Sequence, residues 1–152
     1  MSRYLITGAT GFIGGHLAKK LVDQGADVRC LIRATSDTSL LDSLGVEIAK
    51  ASLYERDLLR EAVRDVDVVI HLAGRTTAFS LGDLLRVNRN GTYYLAEACA
   101  NQEVPPTHVV VSSIAASGPV ARNQVRMEDD APRPVSNYGL SKRAGECAAL
   151  LF

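Results

Sequence analysis

Thr7-Gly8-Ala9-Thr10-Gly11-Phe12-Ile13-Gly14 is the stretch on which the fold turns. It follows a short apolar, β-prone run, Arg3 to Thr7, and opens a segment, Phe12 to Gln24, whose apolar residues Ile13, Leu17, Leu21 and Val22 repeat at helical spacing. The order is strand, turn, helix. At such a corner the free N–H groups and the dipole of the helix favour a pyrophosphate. Gly8 is expected to make the tight turn, Gly11 to let phosphates approach the backbone, and Gly14 to let the helix lie close on the sheet. Thr10, Phe12 and Ile13, set between the glycines, are expected at the same ligand.

Working outward, Asp27 to Ile32 reads as a second strand, introduced by Gly25-Ala26, and Val46 to Lys50 as a third. Tyr54 to Val63 is a helix with Leu58, Leu59, Ala62 and Val63 on one side. Val66 to Ala73 is almost unbroken Val, Ile and Leu, as expected of a strand covered on both faces by helices. Leu84 to Ala100 predicts a long helix, His108 to Ser113 a fifth strand of the same buried kind, and Asn137 to Phe152 a last helix. Between them lies a loop broken by Gly118-Pro119 and Pro132-Arg133-Pro134. Strands alternating with helices imply right-handed crossovers and an α/β, doubly wound parallel sheet, the Rossmann arrangement.

Composition narrows the function. With 152 residues, 47% hydrophobic and 22% charged, the chain has one ordinary core and so one expected domain, residues 1–152. Its formal net charge of zero and the lack of a Lys/Arg block argue against a nucleic-acid or anionic-membrane partner and for a small molecule. Cys30, Cys99 and Cys147 are widely spaced among apolar neighbours, so they are expected to be buried small hydrophobes, and no metal is expected. The N-terminus has no signal-like h-region and no span reaches membrane length, which points to the cytoplasm.

The end of the second strand selects between dinucleotides, an acid binding the ribose hydroxyls of NAD and a cation the 2′-phosphate of NADP. Leu31-Ile32-Arg33 supplies a cation, and Ser36 a nearby hydroxyl, so NADP is preferred over NAD. Further on, Tyr138-Gly139-Leu140-Ser141-Lys142 puts a phenol and an amine four residues apart on one helical face. Moving a hydride at carbon requires a proton to move at the attached oxygen, and a free phenol, titrating near ~10, is a poor base at neutral pH. Lys142 favours the phenolate, which makes Tyr138 the acid/base. Ser113, at the end of the fifth strand, is expected to polarise the substrate oxygen, with Ser112 next in line.

These segments together resemble the extended short-chain dehydrogenase/reductases, the NAD-dependent epimerase/dehydratase family. Its marks here are the Thr-Gly-x-x-Gly-x-x-Gly turn, Val69-Ile70-His71-Leu72-Ala73-Gly74, Asn88-Arg89-Asn90-Gly91-Thr92, Ser112-Ser113 and Tyr138-x-x-x-Lys142, which span essentially the whole chain. The resemblance implies that Leu72, Ala73 and Gly74 line the adenosine and ribose region. It implies that Asn88 braces the fourth and fifth strand ends, and that His71 is a strand residue without chemistry. Where relatives carry Gly-Asp-Leu to meet the adenine, this chain has Ala51-Ser52-Leu53, keeping Leu53 and replacing the acid with Ser52.

Ile114-Ala115-Ala116 stands where sugar dehydratases place acids, so a dehydratase is disfavoured. Arg33 through Asp37 and Ala115 to Pro119 look most like reductases of the dihydroflavonol and hydroxysteroid type. The resemblance therefore implies hydride transfer between nicotinamide and a secondary alcohol or ketone, with a nucleotide-sugar epimerase as one alternative and a non-catalytic dinucleotide sensor as another. It also implies that further strands and a C-terminal substrate lobe lie outside this chain, so that a truncated domain with the fifth strand as an open edge is expected. A homodimer built on the helices Leu84–Ala100 and Tyr138–Phe152 is expected as well.

Overall fold

The computed structural model describes residues 2–152 and sets five strands in one parallel sheet. They are β1 (Arg3–Thr7), β2 (Asp27–Ile32), β3 (Glu47–Lys50), β4 (Val68–His71) and β5 (Thr107–Val110), in the order β3-β2-β1-β4-β5. The helices are α1 (Phe12–Asp23), α2 (Ser39–Asp42), α3 (Arg56–Ala62), α4 (Leu81–Leu85), a π-helical segment (Arg86–Gly91), α5 (Thr92–Ala100), α6 (Ile114–Ser117) and α7 (Asn137–Ala149). This is the doubly wound α/β arrangement. The chain reverses direction across the sheet between β1 and β4, and in such sheets ligands bind beyond the strand ends at that switch.

Alternation along the strands builds a core on each face. Leu5, Leu31 and Val69 pack with Leu59 and Val63 of the α3 region and with Leu95 and Cys99 of α5. Ile6, Cys30 and Ile32 point the other way and pack with Ala18 of α1 and Leu41 of α2. Each buried Leu or Ile stabilises by about 1.5–3 kcal/mol, so β1 and β2 anchor the site built on their ends.

Several expectations are corrected. β5 is the open edge expected of a truncated sheet, one of two edges among the described residues, and so it is not buried like β4: its Val109 and the Val111 just after it remain 43% and 38% exposed. It also ends at Val110, which puts Ser113 beyond it as the N-cap of α6, a helical turn within the expected loop. The long helix starts at Leu81 because Ser80 caps it, its Oγ accepting from Asp83 N at 3.1 Å. Its middle then widens into the π-helical segment, which periodicity did not foreshadow. Cys30 and Cys99 are buried, their thiols pushed up to about 11 and about 12, but Cys147 is exposed. It lies off the stripe of Gly139, Ser141, Gly145 and Ala148 that α7 buries. No helix among the described residues is long and apolar enough to cross a membrane.

Candidate cofactor and active site

The glycine turn is built from two close approaches. Gly8 adopts φ +73°, and a Cβ there would lie 2.8 Å from Ala73 N, so the β1 end and the β4 exit pass backbone against backbone. A Cβ on Gly14 would lie 2.2 Å from Gly8 O, which corrects the expected role: Gly14 lets the helix close on the turn itself. α1 has no side-chain cap and no acid in its first turn, leaving its first N–H donors and positive end to an anion.

In front of this turn opens a cleft of 540 Å³. Of the residues expected at the cofactor, Gly8, Thr10, Gly11, Arg33, Ser36, Ser52, Leu53, Leu72, Ala73 and Gly74 line it. Phe12, Ile13 and Gly14 do not, and neither do Asn88, Tyr138 and Lys142, which the family resemblance also brings near a dinucleotide. The side chains of Phe12 and Ile13 project to solvent, 83% and 62% exposed, away from the cleft wall. The sequence reading missed Thr7, Leu31, Ile32, Ala51, Tyr54, Arg75 and Val87 as lining residues. The strand-end residues among them follow from the rule that ligands sit beyond the carboxyl ends of the strands. Val87 carries no such signal.

At the β3 side of the cleft the wall is set by Ser52, Tyr54 and their partners. Ser52 N donates to Glu55 Oε2 at 2.6 Å, a bond that holds the Glu55 carboxyl below its ordinary range. Tyr54 forms a fixed wall, its hydroxyl donating to Arg86 O at 2.9 Å while the Arg86 guanidinium lies 5.1 Å from the ring centre. Arg33 is exposed at the opening, and Ser36 N donates to Arg33 O at 3.0 Å, curling Ser36 back toward it.

On the β4 side Asn88 is 2% exposed. Its Oδ1 accepts from Arg75 N at 2.7 Å, and its Nδ2 donates to Arg75 O and to Ser141 Oγ, both at 2.8 Å. The expected brace is thus corrected in part: Asn88 ties the β4 exit to α7, and the β5 exit is held by Lys142, whose Nζ donates to Val111 O at 2.8 Å. Burial lowers the Lys142 pKa, and Glu146 opposes that shift. A Cβ placed on Gly74 would lie 3.9 Å from Lys142 Nζ, so the amine stands at the rim of the cleft that Gly74 lines.

Tyr138 lies in the first turn of α7, partly buried, one helical turn before Lys142. Ser136 caps that turn, accepting from Gly139 N at 3.0 Å, and a Cβ on Gly139 would meet Ala115 O at 2.3 Å, so α6 and α7 are locked together. Ser113 Oγ accepts from Ala115 N at 3.2 Å and keeps its own proton to donate, whereas Ser112 Oγ is engaged with the Glu146 carboxylate. The phenol and the amine thus share α7, and the Ser113 hydroxyl caps α6, which packs against the first turn of that helix.

The sequence pattern of the NAD dependent epimerase/dehydratase family matches residues 4–151. The ceramide reductase of Caulobacter vibrioides is 35% identical over 143 residues, 94% of this chain and 40% of that protein. The decarboxylating sterol-4-alpha-carboxylate 3-dehydrogenase of Dictyostelium discoideum is 28% identical over 138 residues, 88% of this chain and 42% of its own. Among solved structures, the UDP-glucuronic acid 4-epimerase of Bacillus cereus in complex with UDP-glucuronic acid and NAD has a TM-score of 0.82 at 28% identity. That match covers 98% of this chain and 51% of the epimerase. The chain therefore spans between 40% and 51% of the length of these proteins.

Proposed function

The chain belongs to the NAD dependent epimerase/dehydratase family, and from that premise we propose that the protein is an NAD(P)-dependent oxidoreductase acting on a secondary alcohol or ketone. The observation that carries this reading is Lys142 at the cleft rim, anchored on Val111 O one turn after Tyr138. The cleft fits a dinucleotide, since its corner has a close backbone approach at Gly8 and an uncapped helix start behind Gly11. When bound, the nicotinamide supplies or receives the hydride at the substrate carbon. Tyr138 gives or takes the proton at the substrate oxygen, so that alcohol oxidation releases a hydride from carbon and a proton to the phenolate. Lys142 holds positive charge beside that phenol, and Ser113 donates its hydroxyl proton to the same oxygen.

NADP is the proposed cofactor, because Arg33 and Ser36 line the cleft at the end of β2, where a 2′-phosphate sits. Residues 1–152 are the dinucleotide-binding half, and the substrate lobe and remaining strands come from residues outside this chain. Its relatives' greater length supports that division. A homodimer is proposed through α5 and α7, which flank a surface groove of 420 Å³ containing Tyr93, Cys147 and Leu151. Three free thiols suit a reducing cytoplasm. An epimerase that oxidises a sugar hydroxyl transiently uses the same groups, and the likeness to the Bacillus cereus epimerase favours it as the second reading.

The test is Tyr138→Phe in the full-length protein, assayed against secondary alcohols, ketones and nucleotide sugars. Turnover falls by a factor of about a hundred or more while dinucleotide affinity is retained. A dinucleotide sensor is indicated instead if affinity and cellular role are both indifferent to the phenol. Absence of nicotinamide nucleotide binding in calorimetry overturns the proposal.

A further inference from the structure

Beneath the cleft floor runs a buried line of hydroxyls and one imidazole that the proposed chemistry leaves without a role. His71, the last residue of β4, is 2% exposed. Its Nδ1 lies 2.6 Å from Thr7 Oγ1 and its Nε2 lies 3.0 Å from Thr92 Oγ1. Each hydroxyl has a second partner, and those partners set the direction of the line. Thr92 Oγ1 donates to Asn88 O at 2.8 Å, so its one proton is taken and it must accept from His71. The ring therefore carries its proton on Nε2. Its Nδ1 is then a lone pair that receives the Thr7 hydroxyl proton, while Thr7 Oγ1 accepts from Ala73 N at 3.1 Å. The other tautomer would take the Thr92 proton away from Asn88 O and leave the Thr7 proton without an acceptor.

The ring must also stay uncharged, because a proton on Nδ1 would meet the one on Thr7. Its surroundings agree: burial, the His108 ring 6.1 Å away on β5 and the Lys142 cation on α7 together push its pKa down to about 3. The two ends of the line are the two halves of the site. Ala73 lines the cleft, while Asn88 lies in the π-helical segment, a widening common at functional sites. From Asn88 the contacts continue to Ser141 Oγ, which donates to Tyr138 O at 2.7 Å. A Cβ on Gly145 would come within 2.4 Å of Asn88 O, so α7 rests directly on the carbonyl that Thr92 holds.

We propose that His71 is a positioning residue: as a neutral, Nε2-protonated imidazole it sets, through Thr92 and Asn88, the placement of the Tyr138–Lys142 turn against the cofactor cleft. This rests on the oxidoreductase reading for its kinetic consequence and on the hydrogen-bond geometry alone for its tautomer. Long-range proton–nitrogen NMR on the full-length wild-type protein reads the tautomer and needs no variant. The expected result is a single neutral Nε2–H form from about pH 5.5 to about pH 9.

In kinetics, His71→Leu lowers kcat about tenfold or more and leaves the NADPH dissociation constant within about twofold of wild type. His71→Gln, whose amide offers both an acceptor and a donor, recovers most of kcat, which a merely space-filling role would not predict. Tyr138→Phe is the control for chemistry. An Nδ1–H ring, or one titrating near its ordinary pKa, overturns the line itself. Unchanged kcat in His71→Leu, or equal losses in the Leu and Gln variants, overturns the positioning role. A wild-type protein without turnover overturns the oxidoreductase reading and the kinetic role with it, leaving the tautomer result to decide the hydrogen-bond line separately.

Discussion

Gly14→Ala and Gly11→Ala, only three residues apart, are expected to fail in different ways. A methyl at Gly14 would lie 2.2 Å from Gly8 O and 2.7 Å from Ala9 Cα, well inside the 3.4 Å at which ordinary contact begins. Both obstacles are backbone, which cannot rotate aside, so the turn and the helix must separate by about an ångström. Overpacking of this kind costs about 1–3 kcal/mol, and a clash against main chain belongs near the upper figure. The better helix propensity of Ala over Gly returns about 1 kcal/mol. A net loss of about 1–2 kcal/mol lowers Tm by about 2–8 °C in a domain of this size.

At Gly11 the methyl would meet only Gly8 O, at 3.3 Å, and would occupy the cleft that Gly11 lines. The poorer N-cap is offset by the stiffer unfolded chain, so stability stays within about 1 kcal/mol of wild type. NADPH affinity, in contrast, falls about tenfold or more, since phosphate and methyl compete for one space. Thermal unfolding by circular dichroism and calorimetric titration with NADPH, both on the full-length protein, separate the two effects. A Gly14→Ala variant as stable as wild type, or a Gly11→Ala variant that loses more Tm than Gly14→Ala, would refute the reasoning.

Three further outcomes follow from the same geometry. Arg33→Ser should lower the NADPH-to-NADH ratio of kcat/KM about tenfold or more by removing a charge-assisted bond to the 2′-phosphate; a wild type that strongly prefers NADH would contradict the assignment. His71 titrates near 6.5 when unfolded and at about 3 when folded. Only the unfolded chain therefore takes up the proton in between, so the contribution of His71 to stability is fully present above 6.5 and is lost progressively as pH drops toward 3. Urea midpoints across that window should be flatter in His71→Gln, and parallel curves would exclude His71 as the cause. Asn88→Ala strips Ser141 and both backbone groups of Arg75 of a partner, and a loss of about 1–3 kcal/mol in urea unfolding is expected.

Much of the fold was legible because its signals are local. β1 and β2 were bounded correctly from runs of neighbours, and the start of α1 from the glycine turn. Elements whose ends depend on distant contacts were misjudged. β5 was read through to Ser113, but its exit is drawn off by Lys142, a bond between residues 31 apart. The helix start at Leu81 did have a local sign, Ser80-Leu81-Gly82-Asp83, which the apolar periodicity overshadowed. Cys147 was misplaced because its apolar neighbours do not say which side of α7 meets the protein.

The amino-acid order by itself determined the alternation of strands and helices, the tight glycine corner at Gly8 to Gly14, and the shared face of Tyr138 and Lys142. Each depends on spacing within a turn or two of chain, where backbone sterics and side-chain periodicity act directly. Tertiary structure alone decided that Thr7 meets His71 across 64 residues and that Asn88 meets Ser141 across 53. It also decided that Tyr54, Arg75 and Val87 complete the cleft wall. Such pairings arise only when parallel crossovers bring separate strand ends to one edge of the sheet, where buried polar groups must find partners and leave one hydrogen-bond direction open to them.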